Sequence, residues 1–424
     1  MDHWVVRAAA MRPDRVAIEM PAGGVTYAEL EARARAAAGA LVERGVSAGD
    51  RVALALPAGV EFVAALHGCM LVGAVAVPID LRLGEAERAA RAREAVTVVD
   101  GVLDGPPLME TESPRPEAIA TVMHTSGTTA APRRIPLSYG NWLHSALGSA
   151  VALGLDPEER WLCPMPLAHV GGLSIPIRSA IYGTVAVLSE RFDAEEVLGQ
   201  LMGPASVMTL VSLVPTMLSR LLDAGLRDPP VLRWALLGGG PLPPPLLERA
   251  ARAGVPVAPT YGMTEACSQI ATFGWPLLGV SVRIASDGEI LVRGPNVSHA
   301  ALEADGWLHT GDVGRLGESG RLYVTGRRAE TIITGGENVA PAEVEAVLLA
   351  HPAVADAGVH GRVDPEWGEA VVATVVVRDG EAVDADELRA FCAERLAPFK
   401  VPKVIWFADA LPRTGSGKLL RREL

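Results

Sequence analysis

The chain reads as an α/β protein built in two unequal parts: a large N-terminal domain of layered sheets and helices over residues 1–326, and a small α+β C-terminal domain over 327–424. Three observations predict this. Up to about Gly326, short apolar runs alternate with helical patterns, the arrangement that builds parallel sheets with helices packed on both faces. Beyond Gly326 the pattern contracts to a smaller set of helix, strand and helix. At 424 residues the chain also exceeds the roughly 250–300 at which a single hydrophobic core stops growing.

In chain order, residues 52–56 form a strand, a helix starts at Glu61, and 74–78 form a second strand. Further apolar runs fall at 184–188, 206–211, 231–237 and 256–260, with helices expected over 215–222 and 244–253 between them. The longest weakly polar stretch, 62–79, contains His67, Gly68, Gly73 and Pro78, so it reads as a buried helix followed by a strand and not as a membrane span. In the smaller part, a helix over 341–350, an apolar strand over 371–377 and a helix from Ala385 follow one another. Asp384 and Glu387 stand in capping-box spacing at the start of that last helix. The boundary between the parts falls at 326–330.

A net charge of −12 repels nucleic-acid phosphates and anionic lipid, so neither is an expected partner and small-molecule chemistry is. Cys69, Cys163, Cys267 and Cys392 stand far apart in apolar surroundings, without zinc-ligand spacing or a disulfide framework. They read as buried thiols in a reducing compartment. No signal-peptide core follows Asp2 and Arg7, which places the protein in the cytoplasm.

The most informative segment is Thr125-Ser126-Gly127-Thr128-Thr129, which follows an apolar run and precedes Arg133 and Arg134. A strand, a small hydroxylated loop and then cations suit a phosphate: glycine admits the anion to the backbone, hydroxyl and amide groups donate to its oxygens, and guanidinium groups balance its charge. Taken alone, the segment fits a Ser/Thr-rich turn equally well. Neither it nor Gly415-Ser416-Gly417-Lys418 has the Gly-x-x-x-x-Gly-Lys-[Ser/Thr] spacing of a Walker A loop.

Four further motifs follow in order. They are Pro166-Leu167-Ala168-His169, Tyr261-Gly262-Met263-Thr264-Glu265, Thr310-Gly311-Asp312, and Gly326-Arg327 leading to Pro412-Arg413-Thr414-Gly415-Ser416-Gly417-Lys418. With these five the chain resembles, over nearly its whole length, the superfamily of acyl-CoA synthetases, nonribosomal-peptide adenylation domains and beetle luciferases. The resemblance implies an ATP-dependent ligase that activates a carboxylic acid as its acyl-AMP and passes the acyl group to coenzyme A. It implies that Thr125, Ser126, Gly127, Thr128 and Thr129 hold the β- and γ-phosphates and that Glu265 binds Mg²⁺. Gly238, Gly239 and Gly240 would flank adenine, Asp312 would take the ribose hydroxyls, and Arg327 the ribose or phosphate. Tyr261, Gly262, Met263 and Thr264 would complete the nucleotide site. Lys418 would bridge carboxylate and α-phosphate as the catalytic lysine. The small domain would be mobile, removing Lys418 and bringing Gly335 and Gly336 to the pantetheine thiol of CoA. Family membership also favours a homodimer.

The runs at 166–183 and 261–272 look most like the o-succinylbenzoate:CoA ligases of menaquinone biosynthesis. That narrower resemblance implies that His169 gates or lines the acyl pocket, Ser174 and Ser268 hydrogen-bond the acid, and Arg178 pairs with its second carboxylate. The plain alternatives are a core histidine and a helix-surface cation. Ala130, Arg133, Arg134 and Ala329 depart from the family pattern, and the chain is shorter than family members after Pro78 and after Thr272. Another aryl or fatty acid, a non-catalytic nucleotide-binding paralogue and a carrier-loading adenylation domain stay open as readings.

Overall fold

The computed structural model describes residues 2–125, 133–335, 337–365, 367–414 and 419–424. The chain opens with the helix Trp4–Met11 and a hairpin of Val16–Met20 with Gly23–Thr26. Thr26 then caps the helix Tyr27–Glu43: its hydroxyl accepts from the Glu29 N–H, and the Glu29 carboxylate accepts from the Thr26 N–H, so two otherwise orphaned donors are satisfied. This helix packs on Val60–Val72, whose residues from Phe62 to Leu71 are all buried. Burial on every face is what makes the 62–79 stretch weakly polar, and the strand Val75–Pro78 follows it as expected.

Two large sheets carry the N-terminal part. In the first, Thr97–Val99, Arg51–Leu54, Val75–Pro78 and Ile119–Thr125 run parallel in that spatial order, and Arg133–Ser138 pairs antiparallel at the edge. In the second, Val185–Leu188, Arg160–Cys163, Leu210–Leu213, Trp234–Leu237 and Val257–Met263 form the parallel centre. The N-terminal hairpin extends one side, and Ser268–Thr272 with Trp275–Pro276 extends the other antiparallel. Helices such as Val170–Tyr182, Pro215–Asp223 and Pro244–Arg252 cross between the strands. The strand expected at 206–211 begins later, at Leu210, because a turn closed by the Ser206 N–H on the Gly203 carbonyl occupies the chain before it.

A four-stranded antiparallel sheet, Ser281–Ile284, Glu289–Arg293, Leu308–Leu316 and Leu322–Arg327, was not expected from the apolar runs. The last sheet, centred on Gly368–Val377, takes in Ile332–Thr334, Glu337–Val339, Val354–Asp364 and Val404–Phe407. It has its own apolar cluster around Val344, Val359, Val371 and Leu388. The helices Pro341–Leu349 and Ala385–Ala393 pack there. Only the forward half of the capping box forms at Asp384, which accepts from the Glu387 N–H at 2.9 Å. The Glu387 carboxylate lies instead toward His351, 3.7 Å from Nε2.

All four cysteines are buried and unpaired. Among the described residues, no helix is long and apolar enough to cross a membrane. Trp142 is fully buried in the main core, and its indole N–H donates to Thr121 Oγ1 at 3.1 Å. Trp142→Ala is expected to cost about 3–5 kcal/mol, seen as a lower urea midpoint at an unchanged slope.

Candidate active site

The site is built around the carboxyl end of Val257–Met263. From there the chain passes through the short 3₁₀ turn Thr264–Ala266 and returns as Ser268–Thr272. Gly262 has no room for a side chain, since a Cβ would lie 1.7 Å from the Ser268 carbonyl oxygen. Cys267 and Ser268 then take φ of +50° and +91°, the left-handed region that non-glycine residues enter at a cost.

Four carbonyls of this reversal have specific partners. Glu265 O accepts from the Ser298 N–H at 2.8 Å. Asn296 Nδ2 donates to both Ala266 O and Gln269 O at 3.0 Å. Cys267 O accepts from Ser145 Oγ at 2.6 Å, and that oxygen accepts in turn from Arg178 Nη2 at 3.0 Å. The turn bearing Glu265 is thereby fixed from three directions.

Beside it, Tyr261, Asp312 and Arg327 come together from distant parts of the sequence. The Tyr261 hydroxyl donates to Asp312 Oδ2 at 2.8 Å, and Arg327 Nε lies 3.1 Å from Oδ1. Asp312 and Arg327 face one another across an antiparallel ladder. The Asp312 backbone N–H donates to Thr310 Oγ1, and the Gly311 N–H to buried Glu289. Burial and the adjacent Asp312 carboxylate push the Tyr261 phenol above the ordinary tyrosine range, so it stays a donor. Gly238, Gly239 and Gly240 follow Trp234–Leu237, and Gly238 packs so tightly on Thr260 that a Cβ would stand 2.7 Å from its methyl group.

On the acid side, His169 is the residue before the helix Val170–Tyr182. Its Nε2 is 2.9 Å from Arg82 Nη2, and Arg82 forks onto Asp80 at 2.8 and 2.6 Å. His169 Nε2 also lies 3.5 Å from Asp80 Oδ2, so the three side chains form one cluster. Burial raises the Asp80 carboxyl, but the hydrogen bonds and charge of Arg82, with His169 beside them, outweigh it and leave the group well below the ordinary carboxylate range. Asp80 and Arg82 escaped sequence reasoning; their one signal was an Asp-x-Arg at the carboxyl end of a parallel strand, where α/β sheets place ligands.

Arg178 is not a surface cation. It is 1% exposed, lies over Trp161 at 5.7 Å, and has Nε and Nη1 without a hydrogen-bond partner among the described residues. Burial pulls its pKa down. Through Cys267 it is linked to the segment carrying Ser268, whereas His169 joins Asp80 and Arg82. Ser174 is buried with its hydroxyl donating to Gly171 O at 2.7 Å, so its proton is committed to the helix backbone.

Thr125 ends its strand opposite Arg133. Arg134 pairs with Glu94, which also holds Arg51, so its guanidinium is anchored on the sheet and does not supply a free charge to the loop. Ser126, Gly127, Thr128, Thr129, Gly336 and Lys418 lie outside the described residues. Close to Lys418 in sequence, Arg413 holds Asp356 at 2.8 and 2.7 Å, and Arg421 holds Glu330 and Glu345. Gly335, at φ +58°, packs against the Trp367 ring, over which Lys403 Nζ sits at 4.7 Å. Neither Trp367 nor Lys403 was singled out from sequence.

Known proteins share this fold. The AMP-binding enzyme family matches residues 5–99 and 96–300, and the AMP-binding enzyme C-terminal domain matches 343–418. A 2-succinylbenzoate–CoA ligase of Bacillus licheniformis is 41% identical over 482 aligned positions, covering all of both chains. Because the alignment is longer than the 424 residues here, that relative carries segments this chain lacks. The o-succinylbenzoate CoA synthetase of Bacillus subtilis in complex with its acyl-adenylate intermediate superposes with a TM-score of 0.92 at 38% identity, covering 100% of this chain and 98% of the other. The same enzyme with ATP and magnesium gives 0.92 at 37%, covering 100% and 99%.

Gly262→Ala is expected to break the pairing of Val257–Met263 with Ser268–Thr272, and calorimetry should show lost ATP binding together with a lower melting temperature. Asp80, depressed when folded, stabilises the fold in its ionised form. That contribution is complete above about pH 4 and is lost as pH falls through the folded value. The stability gap between the parent protein and Asp80→Asn, read by urea denaturation, should therefore be constant from neutral pH down to about pH 5 and shrink below about pH 4.

Proposed function

We propose, from the premise that this chain belongs to the AMP-binding enzyme family, that it is an AMP-forming acid–thiol ligase that activates o-succinylbenzoate and transfers it to coenzyme A. ATP and CoA are its co-substrates, and Mg²⁺ accompanies the nucleotide. The observation that carries the choice of acid is Arg178: a fully buried guanidinium with two unpartnered nitrogens calls for a planar anion, and a dicarboxylate brings one beyond the carboxylate that reacts. The Bacillus licheniformis and Bacillus subtilis relatives, which match this chain end to end, are a ligase and a synthetase of this same acid.

In the first half-reaction a carboxylate oxygen attacks the α-phosphorus, forming a C–O–P linkage as the bond to pyrophosphate breaks and its electron pair leaves with pyrophosphate. The acid is ionised at neutral pH, its pKa being about 4, so no general base is required and the barrier is electrostatic. Lys418 is the cation that spans carboxylate and α-phosphate. The hydroxylated segment Thr125–Thr129 receives the β- and γ-phosphates. Asp312 accepts from the ribose hydroxyls, with Tyr261 and Arg327 orienting it, and Gly238–Gly240 lie against adenine. Glu265, one hard oxygen donor on an immobilised turn, fits Mg²⁺, which takes its other ligands from phosphate and water and would neutralise phosphate charge. His169 walls the acyl pocket, with Ser268 as a polar contact to the acid; Ser174, whose proton goes to Gly171 O, is not one.

In the second half-reaction the CoA sulfur attacks the acyl carbon, AMP leaves, and the thiol proton passes to solvent. The segment 327–424 acts as a mobile domain that turns about 326–330 between the two steps, bringing Gly335, Gly336 and the neighbouring Trp367 ring to the pantetheine arm. The protein works in the cytoplasm as a homodimer.

ATP–pyrophosphate exchange with o-succinylbenzoate and a panel of aryl and fatty acids, followed by mass detection of the thioester, tests this. Exchange and thioester specific to o-succinylbenzoate are expected. Thioester from another acid would move the pathway, and no exchange despite ATP binding would point to a non-catalytic nucleotide-binding protein. Lys418→Ala should lower exchange by about 10²–10³-fold while leaving thioester formation from supplied acyl-AMP nearly intact.

A further inference from the structure

We propose that the second carboxylate of the acid and the Mg·ATP site are energetically coupled through Arg178 and Ser145, so that a dicarboxylate tightens nucleotide binding and a monocarboxylate does not. The inference rests on the reading of Arg178 as the partner of that second carboxylate.

The physical path is short and buried throughout. Arg178 uses Nη2 on Ser145 Oγ at 3.0 Å and leaves Nε and Nη1 for an anion. Ser145 is 0% exposed and has one hydroxyl proton, which goes to Cys267 O at 2.6 Å. Its lone pair faces Arg178, so the hydroxyl cannot turn toward one partner without abandoning the other in a place water does not reach. Cys267 is the first of two consecutive left-handed residues and stands two positions after Glu265. The conformation of the Glu265 turn therefore depends on a carbonyl whose donor is oriented by the guanidinium.

A carboxylate seated on Nε and Nη1 fixes the guanidinium plane, and with it the Ser145 acceptor geometry and the Cys267 carbonyl. With a monocarboxylic acid the guanidinium keeps its torsional freedom, so Ser145 holds the Cys267 carbonyl less rigidly than Asn296 and Ser298 hold theirs. Because coupling free energy is reciprocal, Mg·ATP must tighten the dicarboxylate by the same factor. Ser145 is thus a positioning residue, and neither the acid nor the nucleotide need touch it.

The test is calorimetry of Mg²⁺ with α,β-methylene-ATP on the full chain, with no acid, with saturating o-succinylbenzoate, and with saturating 4-oxo-4-phenylbutanoate, which lacks the ring carboxylate. The expected result is nucleotide binding at least about fivefold tighter with o-succinylbenzoate than with the monoacid. Equal affinities with both bound acids would overturn the coupling; failure of o-succinylbenzoate to bind or to support exchange would instead overturn the underlying reading. Ser145→Ala should bind o-succinylbenzoate and bring the two affinities together, and Ser145→Thr should keep them apart. Should Ser145→Ala not fold, Ser145→Cys removes most of the donor strength at nearly the same volume. A wild-type ratio in a folded Ala or Cys variant would overturn the path through Ser145.

Discussion

Everything at this site hangs on a backbone conformation that its own residues disfavour. Between Glu265 and Gln269 the chain reverses through Cys267 and Ser268, both left-handed and neither glycine. Each such residue costs on the order of 1–3 kcal/mol, while a hydrogen bond returns about 1 kcal/mol net. The reversal therefore persists only because Ser145, Asn296 and Ser298 hold its carbonyls together. Those three residues come from one helix and from the loop after Glu289–Arg293, so the unexpected antiparallel sheet is the support on which the turn rests.

The same clamps explain how an anionic protein handles anionic substrates. With a net charge of −12 the molecule offers no general attraction for ATP, CoA or a dicarboxylate. Its positive charge is placed singly. Arg327 is paired with Asp312, Arg82 with Asp80 and Arg134 with Glu94, whereas Arg178 alone among these has no carboxylate partner in the described residues. Pairing orients groups without creating a field, and the buried guanidinium is where uncompensated charge is retained.

Much of this was legible in the sequence, for definite reasons. Parallel strands buried on both faces read as continuous apolar runs, which is why Val75–Pro78, Val185–Leu188 and Trp234–Leu237 stood out, while His67, Gly68, Gly73 and Pro78 are what told the 62–79 stretch from a membrane span. Tyr261, Asp312 and Arg327 were legible because each sits in a contiguous motif, and the structure brings them into one cluster. The half-exposed strands Ser281–Ile284 and Leu322–Arg327 carry weak patterns and were not. Nor were Ser145, Asn296 and Arg82, whose contacts with Cys267, Ala266 and His169 span 122, 30 and 87 residues, nor Asp80, marked only by its short spacing to Arg82.

If one immobilised turn joins the nucleotide and acid sites, a molecule spanning both should gain from each at once. The direct measurement is the affinity, by calorimetry, of the sulfamoyl-adenosine analogue of the o-succinylbenzoyl adenylate against that of AMP. Binding at least about 10²-fold tighter than AMP is the expected result; an affinity no better than that of AMP would contradict a shared site.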